Sequence, residues 1–199
     1  MSSRSPQHAE NSILKNIYSR HSVRSYAQTP LDKATVQILL DAAVHAPTAI
    51  HKEPWAFVIV QDPAILQRIS DLAKPIFVEE IRHRNAHGVS HSFEHFIRPD
   101  FNIFYDASTL IIICARPLGP FIVADCWLAA ENLMLAANAI GLGSCVIGSA
   151  VAALNIHKVK KDLGIPDDYS AIAPIVVGVP GGASVNTSRK APIILSWKK

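Results

Sequence analysis

From Asp125 to Ile140 the chain reads as a helix that is apolar on almost every side. Such a helix has no polar face to give to water, so it must be enclosed on several sides. Gly141-Leu-Gly143 stops it, and Ser144 to Ile147 follows as a strand. With 199 residues and no break in composition, one domain spanning 1–199 can bury a substantial core around that helix. The 49% hydrophobic and 18% charged content excludes disorder and points to apolar surface hidden between subunits.

Around this centre the punctuation gives a coarse order. Residues 1–9 read as a loose tail, and Ile13, Leu14 and Ile17 share one face of a helix beginning near Glu10. Thr29-Pro30 starts a second helix with a buried stripe of Leu31, Val36, Leu39, Leu40 and Ala43, ended by Pro47. Trp55–Val60 and Leu110–Ala115 are short apolar runs that suit buried strands. Asp62-Pro63 opens a third helix that runs to Ala73. Lys74 to Asp106 is polar, histidine-rich and broken by Pro75, Gly88 and Pro99, and reads as a variable cover outside the core. His157–Leu163 is a small helix closed by Gly164, and Ala171–Val179 and Ile193–Trp197 are the last strands. Helices and strands alternate loosely with several long connections, so the expected class is α+β.

Several partner classes fall away at once. Basic residues exceed acidic ones by 19 − 16 = 3, too few and too scattered for a nucleic-acid footprint. No apolar run has the length of a membrane span, and the polar start lacks the core of a signal peptide. Cys114, Cys126 and Cys145 are single thiols, which suits a soluble cytoplasmic protein.

Three constellations carry candidate chemistry. Arg20-His21-Ser22-Val23-Arg24 sets two guanidinium forks around a hydroxyl, the donors a phosphate or carboxylate requires; a solvated helix end is the plainer reading. Gly141 to Gly148 tempts one toward a dinucleotide fingerprint, but it follows a helix and enters a strand, the reverse of that motif. It reads either as a helix stop or as backbone that lets a flat ligand approach. His83, His87, His91 and His95 recur every four residues, and neighbouring rungs, about 6 Å apart on a helix, could chelate a metal ion. Gly88 and Ser90 weaken that helix, and a solvated face is the competing reading. No serine or cysteine has a base beside it in a nucleophilic pattern, and Cys145 reads as a small buried residue. A chain without an acid–base set either binds things or lets a cofactor do the chemistry.

Taken in order, the segments resemble the FMN-dependent nitroreductase family over nearly the whole chain. The resemblance rests on Arg20–Tyr26, Ala46-Pro-Thr-Ala-Ile-His-Lys-Glu-Pro-Trp55, Asp125–Leu135, Gly141–Gly148, Gly178-Val-Pro180, and Arg189-Lys-Ala-Pro192 with Ser196-Trp197. It implies an α+β fold with a mainly antiparallel central sheet flanked by helices, an interlocked homodimer, and FMN at the subunit interface. It places Arg20 and Ser22 at the FMN phosphate, joined by Arg189 or Lys190, with His21 among the cofactor-binding residues. Arg24 would meet the ribityl chain and the N1/O2 edge of the ring. Backbone of Val146, Ile147 and Gly148 would face the ring, while Pro47, Thr48, Ala49 and His51 would touch the partner's FMN. The family more often carries Asn and Gln where this chain has His51 and Glu53. The implied reaction takes hydride from NADH or NADPH onto flavin N5. An electron-poor acceptor (a nitroaromatic, quinone, flavin or activated alkene) then receives it in a second step. The alternatives are a metal-binding or sensing protein built on the histidine ladder, and a flavin-binding protein that does not turn over.

Overall fold

In the computed structural model, residues 12–84, 96, 98, 100–182 and 188–199 are described. Helices α1 (Ser12–Ser19), α2 (Lys33–Val44) and α3 (Pro63–Arg84) alternate with strands β1 (Trp55–Val60) and β2 (Leu110–Ala115). Then come α4 (Ile122–Ala139), β3 (Gly143–Val146), α5 (Val151–Leu154), α6 (His157–Asp162) and β4 (Ser170–Gly178). The strands form one antiparallel sheet in the order β1-β2-β4-β3.

Strand alternation divides the core into two layers. Leu110, Ile112 and Cys114 of β2 pack with Leu66, Ile69 and Ala73 of α3 and Leu154 of α5. Ile111, Ile113 and Ala115 point the other way, onto Leu39 and Ala43 of α2 and Ala129 and Leu133 of α4. Both faces of β2 are therefore covered, which is why its sequence is a continuous apolar run and not an alternating one. A bulge sets Ile113 opposite Ala173 and Cys114 opposite Ala171, leaving Ile172 as the extra residue. Ala171 and Ala173 consequently face opposite layers despite their spacing of two.

Four expectations need correction. The second helix starts at Lys33, where the Asp32 carboxylate accepts the Thr35 N–H at 2.7 Å, and not at Thr29-Pro30. The third helix does not end at Ala73 but continues through Pro75 to Arg84. Buried Ala73 and Ile81 on either side hold it to the core, outweighing the one ladder bond that proline removes. The segment 74–106 is accordingly not all cover: its first part is helix, and Ile103 and Phe104 are fully buried core residues. Ile193–Trp197 forms no strand, because no strand of its own chain pairs with it. The apolar helix α4 is covered by the sheet, α2 and α1, yet part of its surface stays open. Val123, Trp127 and Leu128 of α4 remain 52%, 40% and 46% exposed.

Candidate functional site

Two backbone contacts lay the Arg20–Tyr26 run along β3, the edge of the sheet. Val23 donates its N–H to Ser144 O at 3.0 Å, and Ser22 pairs with Ser144 in a parallel bridge. Further on, Gly181 donates to Ser25 O at 2.8 Å and Ala27 donates to Val179 O at 2.9 Å. Gly143 permits this approach: a Cβ there would lie 2.7 Å from the Val23 side chain. The Tyr26 hydroxyl donates to Val23 O at 2.7 Å and fixes the run from within.

The glycines before β3 have a separate job. Gly141, at φ +80°, is the residue after the α4 C-cap, with Gly141 N–H on Asn138 O and Leu142 N–H on Ala137 O. That pair of bonds is a Schellman stop, so the run 141–148 is a helix end followed by a strand, as its order in the sequence indicates. Gly148 is different. It is exposed, its φ is not positive, and a Cβ there would meet nothing within 4 Å. The chain's own packing gives no reason for a glycine at that position.

The side chains of the run meet distinct partners. Arg20 pairs through Nε with Glu131 Oε1 of α4 at 3.3 Å. His21 Nδ1 lies 2.9 Å from Ser19 O, so Nδ1 is assigned the proton, and Nε2 is buried with no hydrogen-bond partner. The ring lines a cavity of about 120 Å³ with Arg20, Gly143, Ser144 and Pro180. With the second proton of an imidazolium on Nε2, that orphaned nitrogen beside a guanidinium would be a donor that a phosphate or other anion completes. The Arg24 guanidinium carbon lies 5.9 Å from the centre of the Tyr105 ring. Burial pushes the Cys145 thiol up, against the pull of Arg24, a hydrogen bond with Ser22, and Arg20. Burial likewise raises Cys114 to about 11 and Cys126 to about 12, so these thiols are neutral packing groups.

Of the residues read from the sequence, Arg20, His21, Ser22 and Arg24 come together with the β3 end. Val146 closes β3, and Ile147 donates its N–H to Pro174 O at 2.9 Å. An N–H for a ligand therefore has to come from Val146 or Gly148. The 47–51 turn lies elsewhere. Ala49 donates its N–H to Asp125 Oδ1 at 3.1 Å, at the start of α4, about 9 Å along the helix axis from Glu131. Ile50, His51 and Glu53 all adopt left-handed backbone, at φ 50°, 51° and 43°. Among the described residues, no hydrogen bond or ion pair joins this turn to the Arg20–Arg24 run. Arg189 and Lys190 are exposed.

Sequence reading missed Glu131, Asp125 and Tyr105. The first two had a signal: they are the only acids in an otherwise apolar helix. Tyr105 had none, because it sits in the polar segment between α3 and β2. Of the histidine ladder, His83 pairs with Glu79 at 3.1 Å, while His87, His91 and His95 lie outside the described residues. Among the described residues, no three His, Cys, Asp or Glu side chains converge to hold a metal ion, and no helix is long and apolar enough to cross a membrane.

The fold and the Arg20–Tyr26 run together define an α+β protein with a candidate anion site at a sheet edge. Residues 17–179 match the Nitroreductase family, and the chain belongs to that family, which makes it an oxidoreductase. A protein of Archaeoglobus fulgidus, provisionally named an NADH dehydrogenase/NAD(P)H nitroreductase, is 28% identical over 172 residues, 84% of each chain. The crystal structure of a Bacteroides fragilis nitroreductase with bound FMN superposes with a TM-score of 0.79 at 25% identity, covering 94% of this chain and all of that one. An iodotyrosine deiodinase bound to FMN and 3-iodo-L-tyrosine shares the fold at a TM-score of 0.70 and 20% identity, over 92% of this chain and 97% of that one.

Proposed function

We propose that this chain is an FMN-dependent, NAD(P)H-consuming oxidoreductase that works as a homodimer and reduces an electron-poor small molecule. One observation carries the reading: His21, whose buried Nε2 has no partner, lines a small cavity with Arg20 at the β3 edge, where the resemblance leads one to expect the flavin phosphate. FMN, when bound, supplies the hydride-accepting and hydride-donating centre that the side chains lack.

The chain's own residues do the rest. Arg20, held by Glu131, and Ser22 bind the phosphate, and His21 as the imidazolium would donate Nε2–H to it. Arg24 presents positive charge to the flavin edge on which negative charge collects during reduction. Gly148, free of any contact that would exclude a side chain, lets the ring lie against backbone. Pro47, Thr48, Ala49 and His51 serve the partner's cofactor, which accounts for their distance from the run in one chain. Arg189 or Lys190 reaches the phosphate once the subunits interlock. The buried free cysteines suit a reducing cytoplasm.

The acceptor is open to chemistry as varied as nitroreduction and deiodination, since one fold serves both in the neighbours. The test is direct. Purified protein should be yellow, elute as a dimer, and bleach anaerobically with NADH or NADPH. A screen of nitroaromatics, quinones, flavins, activated alkenes and halotyrosines should then restore the colour with at least one class. Colourless protein that rejects added FMN would sink the reading.

A further inference from the structure

We propose that Tyr105 is a positioning residue that fixes the Arg24 guanidinium at the flavin edge, as the last member of an aromatic stack rooted in α3. The inference rests on the flavin-edge reading of Arg24 given above.

The backbone shows how firmly the ring is aimed. Tyr105 and Asp106 are consecutive non-glycine residues in left-handed conformation, at φ 53° and 55°. L-residues with side chains adopt that region at a cost, and two in succession persist only where the surroundings dictate them. Here they do. Ile103 and Phe104 before the turn and Ala107 after it are buried in the core, at 1%, 0% and 3% exposure. Ile103 N–H donates to Ser70 Oγ at 3.0 Å, Phe104 N–H to Asn102 Oδ1 at 2.8 Å, and Ala107 N–H to Phe104 O at 3.0 Å. The turn is pinned on both sides, so the backbone that carries the ring is fixed.

The ring then meets Arg24. The guanidinium carbon is 5.9 Å from the ring centre, and while burial raises the Tyr105 phenol, Arg24 pulls it down. Behind it, Tyr105 packs edge-on against Phe101 at 5.8 Å, Phe101 against Phe96 at 5.2 Å, and Phe96 against Phe77 of α3 at 4.8 Å. Such pairs favour defined relative orientations, so the stack carries the position of α3 to Arg24. A freely rotating Arg24 would spend its charge on water. Held by Tyr105, it is pre-organised for the developing anion, the condition under which a cation stabilises charge best.

The test uses the full chain loaded with FMN and reads the midpoint potential of the bound flavin, with FMN affinity and thermal melting alongside. Tyr105→Leu should weaken binding of the reduced flavin relative to the oxidised by about tenfold, a fall of about 30 mV for a two-electron couple. Tyr105→Phe, which keeps the packing on Phe101 and loses only the hydroxyl, should show a smaller shift of about threefold and serves if the leucine variant does not fold. In an Arg24→Ala background neither change should move the potential further, because the cation they position is gone. An unchanged potential in both Tyr105 variants, or an equal shift with and without Arg24, overturns the proposal. If Arg24→Ala alone leaves the potential unmoved, the flavin-edge reading of Arg24 is what fails, and the proposal falls with it.

Discussion

Arg20 and Arg24 stand symmetrically about Ser22, yet they meet different neighbours and should fail differently. Arg20 is tied to Glu131 beside the cavity that His21 lines, while Arg24 faces Tyr105. A hydrogen bond to a charged group contributes about 1.5–3 kcal/mol. Arg20→Ala should therefore weaken FMN retention roughly tenfold or more at that magnitude, with little change in the reduction rate of flavin still bound. Arg24→Ala should retain FMN better and slow anaerobic reduction by NAD(P)H. Fluorescence titration of FMN and stopped-flow bleaching separate the two, and equal, negligible effects on both would defeat the division of labour. Two glycines offer a sharper contrast. Gly143→Ala puts a methyl against Val23 and should destabilise the fold by about 1–3 kcal/mol in urea, loosening the whole run. Gly148→Ala meets nothing in the chain, so its melting should be unchanged while FMN affinity falls. Loss of stability at Gly148 without loss of FMN would mean the position serves packing after all.

The helices and strands that explain themselves locally were legible in the sequence. β1 and β2 are bounded apolar runs, and α4 ends on a glycine whose left-handed φ closes a Schellman stop. What escaped was decided by tertiary packing. Pro75 marks a helix end by every local rule, but Ala73 and Ile81 are buried on either side and carry α3 through it. Ile103 and Phe104 were hidden in a polar context and turned out to be core. The run Arg20–Arg24 was legible as an anion site, whereas its support on Gly143 and Glu131 was not, since neither contact is local in sequence. The 47–51 turn shows the same dependence on a distant element. Three left-handed residues cluster there, and the buried Asp125 carboxylate, 4% exposed, holds Ala49 from α4. Asp125→Ala should cost about 1–3 kcal/mol of stability by freeing that N–H. It should also weaken FMN retention in the dimer, because the turn would no longer be presented to the partner's cofactor. Asp125→Asn keeps an acceptor oxygen and should restore most of both. If the alanine variant binds FMN normally, the turn does not serve the cofactor.

A single chain leaves unusual amounts of apolar surface in water. Val123, Trp127 and Leu128 line one exposed face of α4, and Ile13 and Ile17 of α1 are 68% and 43% exposed beside it. In the tail, Ile193, Ile194, Leu195 and Trp197 are 89%, 61%, 94% and 75% exposed. Isolated apolar residues on a surface need no explanation, but a helix face and a tail together do. Burying each large side chain contributes about 1.5–3 kcal/mol, so a handful of them can carry a stable association. A second copy is the occupant that the proposed function calls for. It would enclose α4 on the side its own chain leaves open, and give the tail a neighbour to pack on. It would also bring the 47–51 turn and Arg189 or Lys190 to the Arg20–Arg24 run of the other subunit. Removing residues 191–199 should then have coupled effects. Sedimentation should show a shift toward monomer, and FMN should be lost by more than tenfold even though Arg20, Ser22 and Arg24 are intact. Trp127→Glu, on the exposed face of α4, should produce the same pair of losses by placing a charge in the interface. Were the truncated protein to stay dimeric and keep its flavin, the tail would have no part in the assembly. Were it to become monomeric and still hold FMN tightly, the site would be complete within one chain.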